Sequence, residues 1–268
     1  MDFKGKTVLI TGGCSGIGKI MSRKTLERGG EHLIILDINE EGLMKTKEEF
    51  SKFGKKISTY QINLSNRSEI IDVANRIKTE IGDIDVLINN AGVVTGANFH
   101  EHTHDQIDFN MSINSLAPMH LTLEFLPRMV EKNSGAVCTI ASSAGLVSNP
   151  KMSVYAASKW AALGWSDSVR LEMEKLKKNV QFTSILPYYI NTGMFDGVKS
   201  RVVPILDPEK TAERIIRAIE KKTKILAMPL PFWFIRLSQG ILPLGIYDWV
   251  MGNVLGIYDT MKDFKGRK

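Results

Sequence analysis

The stretch "TGGCSGIG", residues 11–18, follows directly on the apolar run "TVLI" at residues 7–10. Glycine inside a helix or strand destabilises it by roughly 0.5–1 kcal/mol, so glycines this dense mark a turn whose backbone does something a side chain would prevent. Residues 7–11 have the character of a buried strand, and apolar residues recur at helical spacing over 16–29. The segment therefore reads as strand, turn, helix. In that setting Gly12 permits a tight turn, Gly16 lets the backbone approach a pyrophosphate, and Gly18 allows the helix to pack closely on the strand. Cys14, Ser15 and Ile17 complete the loop and are expected to contact the same ligand. About 20 residues on, Asp37 ends the next apolar run, where a carboxylate accepts hydrogen bonds from an adenosine ribose. The turn alone would be a common accident, but with Asp37 it points to dinucleotide binding.

The same alternation continues along the chain. Strand-like runs "KTVLIT", "HLIILD", "KISTYQIN", "DVLINN", "GAVCTIAS", "VQFTSILP" and "KILAM" are separated by helical periodicity at 16–29, 39–53, 66–81, 104–131, 153–177 and 208–221. Strands apolar on both faces, alternating with helices, imply an α/β doubly wound, mostly parallel seven-stranded sheet covered on each side. With no repeat or linker, the 268 residues read as one domain, its core about 4–228 and an apolar appendage at 229–268. Ligands of such sheets bind beyond the carboxyl ends of the strands.

The surplus of six positive charges falls entirely in residues 199–268, which hold 13 of the 35 basic and 7 of the 29 acidic residues. It joins no recognition motif, so nucleic acid is not an expected partner, and "ERIIRAIEKKTK" reads as a solvated helix face. Cys14 and Cys138 lie far apart and fit a reducing compartment. The terminus "MDFKGKTVLI" contains no apolar stretch of signal-peptide length, and the expected location is cytoplasmic. His100, His102 and His104 alternate as strand-borne zinc ligands would. However, Thr103 with Gln106 three residues on forms a helix start that breaks such a strand, and no metal is expected.

In "YAASK", Tyr155 and Lys159 are four residues apart and share one helix face. An ammonium beside a phenol favours the phenolate and makes tyrosine a usable base. The pair follows "CTIASSAG", which brings Ser142 and Ser143 to the ligand-binding edge of the sheet.

Together, "TGGCSGIG", "NNAG" at 89–92, Asn114, Ser142 and "YAASK" resemble, in order and spacing, the compact branch of the short-chain dehydrogenase/reductase family over about residues 4–228. The resemblance implies a Rossmann fold and hydride transfer between nicotinamide and an alcohol or carbonyl. It makes Tyr155 the acid/base, Ser142 a donor to the substrate oxygen, Lys159 a ligand of the nicotinamide ribose, and Asn114 the holder of a helix irregularity and a water leading to Lys159. Asn90, Ala91 and Gly92 would lie under the adenosine. Asn63, with Leu64 beside it, stands where the family usually has an acid, and its amide oxygen is expected to accept from the adenine amino group. Pro187, Ile190 and Thr192 fit the carboxamide contacts. Tyr188 replaces a usual glycine and narrows the substrate side, which Ser143 and Met194 also face. Asp37 would repel a 2′-phosphate, so NAD is preferred to NADP.

Within that family, "LPYYINTGMFDGV" and "YDTMKDFKGRK" resemble the subgroup of retinol and 17β-hydroxysteroid dehydrogenases. Those relatives often carry an amino-terminal hydrophobic anchor, and residues 1–10 give no expectation of one. The substrate implied is small, bulky and apolar, in a homodimer or homotetramer packing the helices at 104–131 and 153–177. The alternatives are a noncatalytic dinucleotide-binding protein and a peripheral membrane protein. Residues 229–268 read either as a roof packed on the protein or as a lipid-facing patch of Phe232, Trp233, Phe234 and Trp249, with no run of about 20 apolar residues to span a bilayer.

Overall fold

Each expected strand forms, with bounds within two residues of those read from the sequence. The computed structural model describes residues 1–229 and 232–266, excepting the side chains of Phe232 and Trp233. The strands are β1 (Thr7–Thr11), β2 (His32–Asp37), β3 (Lys56–Gln61), β4 (Val86–Asn89), β5 (Gly135–Ile140), β6 (Val180–Pro187) and β7 (Ile225–Met228). They pair in the order β3-β2-β1-β4-β5-β6-β7, and every pairing is parallel. The order reverses between β1 and β4, which places a crevice where the glycine turn and "NNAG" emerge side by side.

Successive strand residues point to opposite faces. Val8 and Ile10 join one core with Met21 of α1 (Gly16–Glu27), while Leu9 joins the other. Leu33 and Ile35 likewise oppose Ile34 and Leu36. The helices α2 (Glu40–Phe50) and α3 (Arg67–Glu80) start at Asn39 and Asn66, whose side chains accept from backbone N–H groups of the first turn. The stretch 104–131 is not one uniform helix. It divides into α4 (His104–Met111), a π-helical turn at Ser112–Leu116, and α5 (Ala117–Glu131). Thr103 and Gln106 cap α4 reciprocally, so the three histidines share no strand. Among the described residues no cluster of His, Cys, Asp and Glu could hold a metal.

After α6 (Ser153–Lys175), the basic surplus is partly displayed on α7 (Pro208–Glu220). Arg214 and Arg217 are exposed there, while Ile215, Ile216 and Ile219 are buried. The appendage folds into α8 (Phe232–Ile241), α9 (Leu244–Trp249) and a further π turn. Pro243 does not end structure there but sits at the start of α9. Tyr247, Met251, Ile257 and Met261 pack with Leu186, Tyr188 and Tyr189 over the carboxyl ends of the strands. The appendage is thus a roof on the crevice.

Candidate active site

One cavity of about 310 Å³ runs from the glycine turn past Asp37 to Tyr155. Its floor depends on the glycines: Gly12 and Gly16 have φ of +65° and +52°, in the left-handed region. A Cβ at Gly18 would lie 2.0 Å from the Gly12 carbonyl oxygen and 2.5 Å from Asn90 Nδ2. Asn90 holds the turn open by donating through Nδ2 to the carbonyls of Thr11 and Gly12, at 2.9 and 3.2 Å. The Thr11 hydroxyl accepts from the Asn90 and Ala91 N–H groups. The adenosine-side reading of "NNAG" thus acquires a second role, buttressing the phosphate turn.

Two sequence expectations need correction. Cys14 does not line the cavity. Its side chain is buried in the core, its Sγ 2.9 Å from where a Cβ on Gly42 would stand, because the turn aims this residue toward α2. Burial and the neighbouring Asp37 push its thiol up to about 12, and its N–H reaches the Asp37 carboxylate, at 3.4 Å. Asn63 does line the cavity, but its Oδ1 already accepts from Ser65 N and Ser65 Oγ at 3.0 and 2.8 Å. That local Asx turn occupies both acceptor positions, leaving the amide NH₂ rather than the oxygen for a base.

Ser15, Gly16, Ile17, Leu64, Ala91, Gly92, Pro187, Ile190 and Thr192 all line the cavity, as do Ser143, Tyr188 and Met194. Asn114 lies in the π turn, almost wholly buried. Its Oδ1 accepts from Val93 N at 2.9 Å, and its Nδ2 donates to Val93 O and Ser158 Oγ. A π turn exposes such a carboxamide to partners that a regular helix would hide.

At the far end, Ser142, Tyr155 and Lys159 converge. Burial pushes the Tyr155 phenol well above its ordinary value, and the neighbouring Ser142 hydroxyl draws it part of the way down. Lys159 Nζ donates to the Ile140 carbonyl at 2.9 Å and stands 5.8 Å from the Tyr155 ring centroid. Burial alone lowers its ammonium to about 8. Phe195 meets the Tyr155 ring edge-on at 5.9 Å and the Tyr189 ring at 4.9 Å. Phe195, Asn149 and Ile257 are lining residues the sequence reading missed. Phe195 stood inside the quoted "NTGMF" motif; Asn149 and Ile257 carried no local signal.

The residues fit a nicotinamide dinucleotide: a glycine cradle that a Cβ would fill, an acceptor at Asp37, and a lysine beside the tyrosine. When bound, that cofactor supplies the hydride acceptor or donor. Beside such a cofactor, Tyr155 would be placed to exchange a proton with a substrate oxygen, and Ser142 to donate to that oxygen.

The sequence model of the short chain dehydrogenase family matches residues 6–202. Epidermal retinol dehydrogenase 2 of Mus musculus is 36% identical over 271 residues, covering 98% of this chain and 86% of its own. Estradiol 17-beta-dehydrogenase 11 of Homo sapiens is 34% identical over 240 residues, covering 89% and 80%. In three dimensions the fold is similar to that of a short chain dehydrogenase/reductase from Burkholderia phymatum in complex with NAD, with TM-score 0.81 and 22% identity over 90% of this chain and 95% of that one. The chain belongs to the short-chain dehydrogenase family and is a dinucleotide-dependent oxidoreductase.

Proposed function

We propose that this enzyme oxidises a hydroxyl group on a bulky apolar molecule, using NAD rather than NADP. The observation that carries the reading is the single cavity joining Asp37 to Tyr155, whose substrate end is walled by Val93, Phe109, Ile113, Val147, Met152 and Tyr188. Such walls suit a molecule of the retinoid or steroid kind, the substrates for which the curated relatives are named. The Asp37 carboxylate supports NAD through repulsion of a 2′-phosphate. A panel of retinol, estradiol and long-chain alcohols, assayed with NAD and NADP side by side, tests both parts. No turnover with any of them, despite measurable cofactor binding, would favour a noncatalytic dinucleotide-binding role.

The reading includes a cytoplasmic enzyme resting on a lipid surface. It is supported by Phe234, Leu237, Ile241, Leu244 and Trp249, all between 59% and 74% exposed on α8 and α9, beside an exposed Arg236. Phe232 and Trp233, also read as part of this patch, lie outside the described side chains. No described helix is long and apolar enough to cross a membrane. Sedimentation with anionic liposomes, weakened by salt and by Phe234→Ala/Trp249→Ala, is the expected result. A homodimer or homotetramer would cover the exposed Leu123, Trp160 and Leu171 on α5 and α6, and analytical ultracentrifugation measures it.

A further inference from the structure

Three loops wall the substrate end of the cavity. The loop after β4 contributes Val93, the loop after β5 contributes Val147 and Met152, and the loop after β6 contributes Met194 and Phe195. One segment of the appendage, residues 257–265, reaches all three. Its Thr260 Oγ1 accepts from Asn149 Nδ2 of the second loop at 2.9 Å. Its Lys265 N–H donates to the Asp196 carbonyl of the third loop, also at 2.9 Å. A Cβ at the adjoining Gly197 would overlap the Asp263 carbonyl oxygen, so the two backbones lie in direct contact. The first loop is reached by Phe264, which is half-buried in the apolar cluster of Val94, Tyr189 and Val198.

Gly96 shows how that last contact is made. Its φ lies outside the left-handed region, so its backbone makes no demand for glycine. A Cβ there would instead overlap Cδ1 and Cε1 of the Phe264 ring and stand 3.0 Å from Met261 Cε. The missing side chain is therefore the socket that takes the ring. Thr95, beside it, accepts at Oγ1 from Asn110 Nδ2 at 2.8 Å, and Phe109, the neighbour of Asn110, lines the cavity. Phe264 thus bears on a loop that carries one wall residue at Val93 and is tied to a second at Phe109. It is not itself a lining residue, and the glycine turn and Asp37 take no part in these contacts.

We infer that Phe264 is a positioning residue for substrate selection: seated in the Gly96 socket, it holds the loop after β4 to the loop after β6 and so sets the spacing of the walls they carry. The inference rests on the proposed oxidation of bulky apolar alcohols. A rigid ring system depends on that spacing for its placement against Tyr155, whereas a slim flexible chain adjusts to a wider pocket.

The test measures kcat and KM with NAD for retinol or estradiol, whichever the enzyme turns over, and for 1-decanol. It compares the wild type with Phe264→Ala, Phe264→Leu, Gly96→Ala and Gly96→Ala/Phe264→Leu, and NAD binding is followed separately by fluorescence. Phe264→Ala and Gly96→Ala should each raise KM for the ring-bearing alcohol about tenfold, with kcat, NAD affinity and the 1-decanol KM held within about threefold. The double variant should recover most of the loss seen in Gly96→Ala, because the shorter leucine leaves room for the new Cβ. Independent sites would add their losses instead. Phe264→Leu keeps an apolar side chain in the socket, so the cycle built on it stands even where Phe264→Ala folds poorly. Equal KM changes for the two alcohols, an equal loss of NAD affinity, or a double variant as poor as the sum of its singles overturns the inference and leaves the dehydrogenase reading intact. A wild type that oxidises no ring-bearing alcohol overturns the proposed substrate class and the inference with it.

Discussion

Lys159 Nζ is bound to the carbonyl of Ile140, on the last residue of β5, and sits over the Tyr155 ring, 5.8 Å from its centroid. One buried cation is thereby held between the sheet edge and the acid/base, with burial as the dominant influence on its proton.

That arrangement has a measurable cost. Burial lowers the Lys159 ammonium to about 8, against about 10.4 in an unfolded chain. Below pH 8 both states hold the proton, and the native state bears the full desolvation penalty. Between pH 8 and about 10 the unfolded chain holds a proton the native chain has released, so stability rises with pH through that window. Lys159→Met should therefore be more stable than the wild type at pH 7, by roughly 1–3 kcal/mol, while losing turnover. The difference should close by pH 10. Urea unfolding of both proteins at the two pH values checks this, and a variant less stable at pH 7 contradicts it.

Tyr155→Phe removes the phenol hydroxyl beside Ser142, the proposed proton carrier, but leaves the ring edge that meets Phe195. The fold and cofactor affinity should persist, and kcat should fall by about 10³-fold or more. Steady-state kinetics with cofactor binding measured by fluorescence separates the two effects. Retained turnover would remove Tyr155 from its role.

Cofactor choice should follow Asp37. The wild type is expected to favour NAD over NADP by about 100-fold in kcat/KM, the scale of a like-charge clash worth a few kcal/mol. Asp37→Ser should narrow that ratio mainly by lowering activity with NAD. Equal kcat/KM for both cofactors in the wild type would defeat the argument.

Two glycine substitutions should behave oppositely. Gly18→Ala forces a Cβ against the Gly12 carbonyl and Asn90, and should destabilise by about 1–3 kcal/mol while weakening cofactor binding. Gly164, inside α6, has open space where its Cβ would be, so Gly164→Ala should stabilise by up to about 1 kcal/mol. Thermal denaturation of the pair reads out both signs.

The sequence made the sheet legible because strands covered on both faces must be apolar throughout, and "HLIILD" or "VQFTSILP" admits little else. The glycine turn, Asp37 and the Tyr155–Lys159 pair were legible because their chemistry is set by short spacings. Cys14 was misplaced because the direction of a turn side chain depends on backbone angles that the residue names do not state. Asn63 was misassigned although "NLS" carries an Asx-turn signal; the local bond to Ser65 outcompeted the distant use expected for that oxygen. Asn149 could not be found by pattern, since its partner Thr260 lies 111 residues away. The helices of the appendage were hidden by prolines and glycines that delimit them instead of abolishing them.

The π turn at Ser112–Leu116 sets the rotational phase of everything after it. An α-helix advances about 100° per residue, so the wider turn decouples the two halves of this rod. α4 aims Asn110 at Thr95, and α5 aims Leu121, Phe125 and Met129 at the sheet. Neither half must keep step with the other's apolar spacing. Removing one residue from the turn would lock the phases together and swing one of these faces by roughly a quarter of a revolution. The turn therefore acts as a slip joint, allowing the residues near the substrate mouth to change without rephasing those that grip the core.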